Sequence, residues 1–446
     1  MRRFAFLLVA CAPAVLGAQG FGVYELSTCT MGRAGAVAAN PCPDGSAIFF
    51  NPAGLTALTG THVSLGGTLI APTGGFTDDL FGQKTDMTKQ TFLVPNVFLT
   101  RRLSPKLTAG VGVYAPYGLG TEWPTTFAGR FEGYKTTLKS IYIQPTAAYQ
   151  ITPRLSFGLG VAYIHSSVEL HQRLDLSQQV AAGTVTFAQL GIPAGTDFAD
   201  ASLTATANGI AFNGGVTYKV TDRLTVGGHF MTKKTMSYSG TATFTQLPTG
   251  LVLAPGNPIT PGGVPAPVDL VLASEFAASG PLSSGAASTD LTLPDQGTIG
   301  VSYKLSDAWM VSADFQQVVW GWFNTLQIKF ANALTPPLVA YEGYRDSNGF
   351  RFGTEYIYSP RLTLRGGYLH HSAAAPDQTV TPRLPEGPRN EFVLGASVGL
   401  SGMLHGDLAY QYVRQNDRRG RVGPGINTGL YTFSASLFGA GLSYTF

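Results

Sequence analysis

The chain has 446 residues, of which 44% are hydrophobic and only 12% charged. Soluble domains carry about twice that share of charge, and no internal stretch approaches the roughly 20 apolar residues of a membrane helix. The net charge of +3 supports no nucleic-acid partner; a lipid-facing β-barrel accommodates such a composition, because each of its strands stays only half apolar.

The chain opens on Arg2 and Arg3, followed by a short apolar run over residues 4–16. That pattern predicts a signal peptide, residues 1–18, cut near Gly17 or Ala18. The stretch Leu8-Val9-Ala10-Cys11 resembles a lipoprotein box, but only about seven apolar residues precede the cut, at the bottom of the usual range. Cleavage leaves Cys29 and Cys42 in an oxidising compartment, where a pair tends to close; two free buried thiols are the alternative. Residues 19–59 are rich in Gly and Ala without sustained alternation. They lie either outside a barrel or inside it as a plug, and a lumen too wide for side chains alone to fill favours the plug.

From residue 60 to 446 short alternating segments repeat. Leu155, Phe157, Leu159, Val161 and Tyr163 point one way, and Ser156, Gly158, Gly160 and Ala162 the other, which is the period of a strand. Short turns fall at Ser104-Pro105, Thr152-Pro153, Thr221-Asp222, Ser306-Asp307, Ser359-Pro360 and Ser401-Gly402. Longer Gly/Pro-rich connectors alternate with them, the longest over residues 174–202 and 246–289. Neither has a strong helical period, so the sequence does not define a capture groove there. Short periplasmic turns and long outer loops are the habit of outer-membrane barrels, and six turns with seven loops give 14 strands and two periplasmic termini. In the last strand Phe438, Ala440, Leu442, Tyr444 and Phe446 alternate with small residues, which resembles the signal read by the barrel-assembly machinery. The expectation is an all-β, 14-stranded antiparallel transmembrane β-barrel with an N-terminal plug in its lumen, a monomer in Gram-negative outer-membrane lipid. A soluble sandwich or propeller would not explain the leader, the low charge and the two connector lengths together.

The segment Met31-Gly32-Arg33-Ala34-Gly35 with Asn51-Pro52-Ala53-Gly54-Leu55 resembles the N-terminal hatch of the FadL-like long-chain fatty acid transporters, a family that includes toluene and xylene channels. Further matches follow in order: Val94-Pro95-Asn96, Tyr114-Ala115-Pro116-Tyr117-Gly118, Phe127-Ala128-Gly129-Arg130, Trp320-Gly321-Trp322-Phe323 and Tyr344-Arg345-Asp346. The resemblance implies capture at an outer groove, an inner pocket, a hatch movement and sideways release through a gap at a kinked third strand, without cofactor or energy source. It makes Asn51, Pro52 and Ala53 gating residues, although Asn-Pro is also ordinary turn chemistry. It draws attention to Gly110, Gly112 and Pro116 in strand three, where glycine tolerates a bend and proline cannot donate to a ladder. For a fatty-acid carboxylate, which an arginine can fork, the candidates are Arg345, then Arg173 and Arg351; each could equally be an ordinary lumen or loop arginine. His370-His371 has no ligand-spaced partner, so no metal is expected, and no G-x-S-x-G elbow argues for an enzyme. The expected function is a passive channel for long-chain fatty acids or other hydrophobic small molecules. The alternatives are a general porin, which should lack the segment before residue 60, and a barrel enzyme or adhesin, which would need a catalytic cluster. Fatty acid, alkane and aromatic hydrocarbon remain open as substrates.

Overall fold

The computed structural model describes residues 20–259, 264–423 and 428–446; the expected signal peptide and residue 19 lie outside the described residues. The wall is a closed antiparallel barrel of 14 strands. They are β1 (Thr61–Asp78), β2 (Phe92–Arg102), β3 (Leu107–Glu122), β4 (Lys135–Gln150), β5 (Leu155–Asp175) and β6 (Asp197–Lys219). Four strands are interrupted: β7 (Leu224–Met231 and Lys234–Gln246), β8 (Gly285–Leu293 and Gln296–Lys304), β9 (Trp309–Val318 and Thr325–Phe330) and β10 (Leu338–Tyr341 and Ser347–Ser359). The wall finishes with β11 (Leu362–His371), β12 (Arg389–Gly399), β13 (Leu404–Gln415) and β14 (Gly429–Thr445). Pairing of β1 with β14, from His62↔Thr445 to Asp78↔Gly429, closes the cylinder, so neither terminal strand leaves an edge for lipid to solvate.

Alternation sets the faces. In β5, Phe157, Leu159, Val161 and Tyr163 are exposed on the outside, whereas Ser156, Ala162 and Ile164 are buried within. All six short turns begin on a serine or threonine whose hydroxyl accepts a backbone N–H just ahead. Ser104 Oγ takes the Leu107 N–H at 3.1 Å, Thr152 Oγ1 that of Leu155 at 3.0 Å, and Ser401 Oγ that of Leu404 at 3.1 Å. Thr221, Ser306 and Ser359 do the same. A hydroxyl that completes its own turn is why these residues punctuate the sequence so regularly.

Residues 20–59 fill the lumen and are almost wholly buried. They contain α1 (Thr28–Gly32), α2 (Ala47–Phe50) and a 3-10 turn, Pro52–Ala57, and Cys29 and Cys42 are joined by a disulfide. The wall makes room by omitting side chains. A Cβ on Gly227 of β7 would sit 2.2 Å from the Ala38 carbonyl oxygen, and one on Gly158 of β5 would sit 2.3 Å from the Pro52 carbonyl carbon. Wall polar groups then hold the plug backbone. The Asp314 carboxylate accepts the N–H groups of Val37 and Ala38, each at 2.9 Å. Asn213 Nδ2 donates to Phe49 O at 2.8 Å and Gln144 Nε2 to Ile48 O at 2.6 Å. A buried carbonyl or N–H without a partner is costly, so these side chains answer groups that a packed irregular segment would otherwise strand.

Candidate functional site

The wall has a break at β3. The β2–β3 ladder runs only from Val97↔Val113 to Arg102↔Thr108. Beyond it, the first residues of β2 pair only with β1, and β3 bulges between Tyr114 and Tyr117 against β4. The edge of β3 past Tyr114 therefore has no partner in β2. Side chains close the wall instead: the Phe92 ring lies over Gly120, where a Cβ would come within 2.0 Å of it. From inside, the start of the plug adds itself to the free edge. Val23 N–H donates to Pro116 O at 2.8 Å, Gly118 N–H donates to Phe21 O at 3.0 Å, and Gly22 faces Tyr117 in an antiparallel bridge.

Three cavities run from the long loops to this break. The first, about 600 Å³, lies between the longest loops and is lined by Phe187, Phe198, Phe244 and Phe330, with Lys135, His171 and Arg383 among its polar groups. The second, about 80 Å³, shares Thr136, Leu170, Leu326 and Arg383 with the first. The third, about 370 Å³, shares Phe21, Leu119, Leu138 and Leu384 with the second. It reaches the break, with Phe92 and Val94 on one side, residues 117–120 on the other, and Arg389, Glu25 and Glu391 at its polar end. The loops that sequence periodicity left undefined are ordered by an apolar cluster of their own, Leu176, Phe187, Ile192, Phe198, Leu253 and Leu272. Non-local packing, not helix amphipathicity, shapes the groove.

The expected arginines fall away from these cavities. Arg345 is exposed and lines none of the three; only its N–H is engaged, with Ala374 O at 2.9 Å. Arg173 pairs with Asp200 at 3.3 Å, and Arg351 is buried, donating to Gln316 and stacked 4.4 Å over the Tyr24 ring. The cations that do line the cavities are Arg383, which has no ion pair among the described residues, and Arg389. Both follow prolines, in the connector after β11 and at the head of β12, and Pro382-Arg383-Leu384-Pro385 was the only signal available.

Two further expectations change. Asn51, Pro52 and Ala53 do not stand beside the break. Asn51 Nδ2 donates to Ala38 O at 2.6 Å and to Val216 O of β6 at 3.0 Å, and Pro52 packs on Gly158 of β5. Gly110 and Gly112 lie within the paired part of β3, opposite Thr100 and Phe98. They clear space for Ile48 and Phe98, since a Cβ on Gly112 would meet those side chains at 3.0 and 2.9 Å. Of the strand-three residues, Pro116 alone sits at the break. His370 Nδ1 is 3.0 Å from Asn390 Oδ1, and the His371 ring lies against Tyr24.

Comparison with known proteins identifies the family and the fold. Residues 9–446 match the family model described as outer membrane protein transport protein (OMPP1/FadL/TodX). The long-chain fatty acid transport protein of Salmonella typhi is 24% identical over 450 residues, covering 98% of each chain. The 47 kDa outer membrane protein of Pasteurella multocida is 25% identical over 453 residues, covering 100% of this chain and 99% of that one. In fold, a Pseudomonas aeruginosa FadL homologue superposes with a TM-score of 0.82 at 20% identity, over 96% of this chain and all of that one. The Pseudomonas putida toluene transporter TodX superposes at 0.70 with 21% identity, over 97% and 99%.

Proposed function

The chain belongs to the outer membrane protein transport protein family (OMPP1/FadL/TodX), and on that premise we propose that it is a passive channel for long-chain fatty acids or other hydrophobic compounds. The long loops face the cell exterior, and the short turns and both termini face the periplasm. The observation that carries the reading is the succession of cavities that share lining residues from the loops to the unpaired edge of β3. A hydrophobic solute captured among the phenylalanines of the outer cavity meets mostly apolar lining along that path and gains nothing by entering a water-filled pore. A side exit at β3 delivers it to hydrocarbon. Residues 19–59 act as the hatch, and residues 20–23 are the part that must leave the β3 edge. Arg383, half-buried where the first two cavities meet, bonded to Gln172 and without an ion pair among the described residues, receives a carboxylate head, because a buried anion requires a hydrogen-bonded cation.

Gly22 and Tyr117 face each other across the bridge, so a Gly22→Cys/Tyr117→Cys disulfide would lock the segment onto β3. Oxidised protein in proteoliposomes should bind laurate as the reduced form does but lose uptake, and reductant should restore it. Undiminished uptake in the oxidised protein would refute the side exit.

A further inference from the structure

Within that channel reading, we propose that Arg389 couples release of residues 20–23 to an anionic head group, so that amphiphiles with such a head unlatch the β3 gap and plain hydrocarbons do not. The latch converges on Gly20. Its N–H donates to Glu386 Oε1 and its carbonyl accepts from Arg389 Nη2, both at 3.3 Å. It adopts a positive φ of 57°, and a Cβ there would fall 2.6 Å from the Trp320 ring, so only glycine seats at this point. Phe21 then meets Trp320 edge-on, ring centroids 4.6 Å apart. The β9 turn Trp320–Trp322 thus supports the segment, its Trp320 ring also edge-on to Tyr117 of β3.

Among the described residues, Arg389 is the cation of this arrangement that faces the cavity with a donor left over; the buried Nε1 of Trp320 and Nε of Arg351 are unpartnered too, but Trp320 carries no charge and Arg351 lines no cavity. Arg389 lines the cavity at the gap, takes part in no salt bridge among the described residues, and its Nε is buried without a partner. The acids nearby are engaged elsewhere. Glu386 also accepts the N–H groups of Ala374 and Ala375, and Glu25 and Glu391 share the Gln411 amide. Arg351 is committed to Gln316 and Tyr24, and Lys139 is exposed at the cavity's outer side. A carboxylate binds an arginine best through two parallel N–H groups. At Arg389 these are Nε, which is free, and Nη2, which holds the Gly20 carbonyl. A carboxylate seated on the Nε–Nη2 side of the guanidinium therefore competes with the Gly20 carbonyl for Nη2. An alkane in the same cavity makes no such claim.

The seated state is read by the Val23 and Gly118 amides, which donate across the latch. Hydrogen exchange by mass spectrometry should be followed in nanodiscs with saturating laurate or dodecane, with binding of each measured in parallel. Laurate should speed exchange of both amides by about tenfold, the effect of losing one charge-assisted hydrogen bond, and dodecane should leave it unchanged. Arg389→Gln should exchange fast without ligand and ignore laurate. Arg389→Lys, which keeps the charge and loses the fork, should respond less than the unmodified protein. If both ligands bind and shift exchange equally, or neither shifts it, the Arg389 assignment fails while the channel stands. If neither ligand binds, the channel reading fails first.

Discussion

Residues 33–53 and residues 20–23 belong to one segment inside one barrel, yet the wall holds them by different means. The former are moored by side chains from several strands, among them Asp314, Asn213 and Gln144, and are tied to α1 by Cys29–Cys42. Among the contacts of the latter are two backbone hydrogen bonds to β3, two 3.3 Å contacts at Gly20 and the rings around Phe21. A segment fixed by many buried polar contacts opens only with large cost, whereas one with few opens locally. On the proposed channel reading, residues 20–23 are the gate and the rest of the plug is a foundation for it.

The comparison can be broken most severely at the foundation. Gly227→Leu has no space beneath Ala38 and should unseat residues 33–53, costing about 3 kcal/mol or more as overpacking does. Planar-bilayer recordings should show a large, permanently open conductance in place of a silent barrel; a silent variant would mean the mooring yields without loss of closure. Next, Cys29→Ala/Cys42→Ala should lower stability by roughly 3 kcal/mol, the chain-entropy value for a closed loop of this size. Urea titration followed at the plug should show it, and free thiols in protein matured through the periplasm would remove its basis. Arg383→Ala acts on ligand and not on mooring. It should weaken laurate binding by about 1.5–3 kcal/mol, the range for hydrogen bonds to charged groups, and leave dodecane binding nearly unchanged; equal losses would indicate damaged packing. Smallest of all, Arg345→Ala should change binding and stability by less than about 0.5 kcal/mol, as exposed substitutions do. A larger loss in calorimetry would return Arg345 to the ligand path.

Much of the fold was legible because each strand carries its own period and each short turn its own serine or threonine: Phe157 to Tyr163 and Ser104 to Leu107 need no distant partner to be read. The site was less so. Asn51, Pro52 and Ala53 marked a family segment, but their neighbours Gly158 and Val216 lie more than a hundred residues away, and sequence order does not say which wall a plug residue meets. Gly110 and Gly112 suggested a bend, whereas their role is to make room for Ile48. Arg383 and Arg389 sit in an irregular connector and at its end, where no period announces direction. The groove depends on Phe187 and Leu272, from two different loops, joining one apolar cluster, an association no local pattern encodes.

The glycines beneath the plug carry a consequence in time. Cys29 and Cys42 are 2% and 0% exposed, and the cylinder that encloses them is sealed by its first and last strands, β1 and β14. Once that seam has zipped, the inner glycines are covered and a folded plug has little room to enter. The plug, which immediately precedes β1, therefore folds and oxidises most readily while the sheet is still an open curl, before the vessel is closed over it.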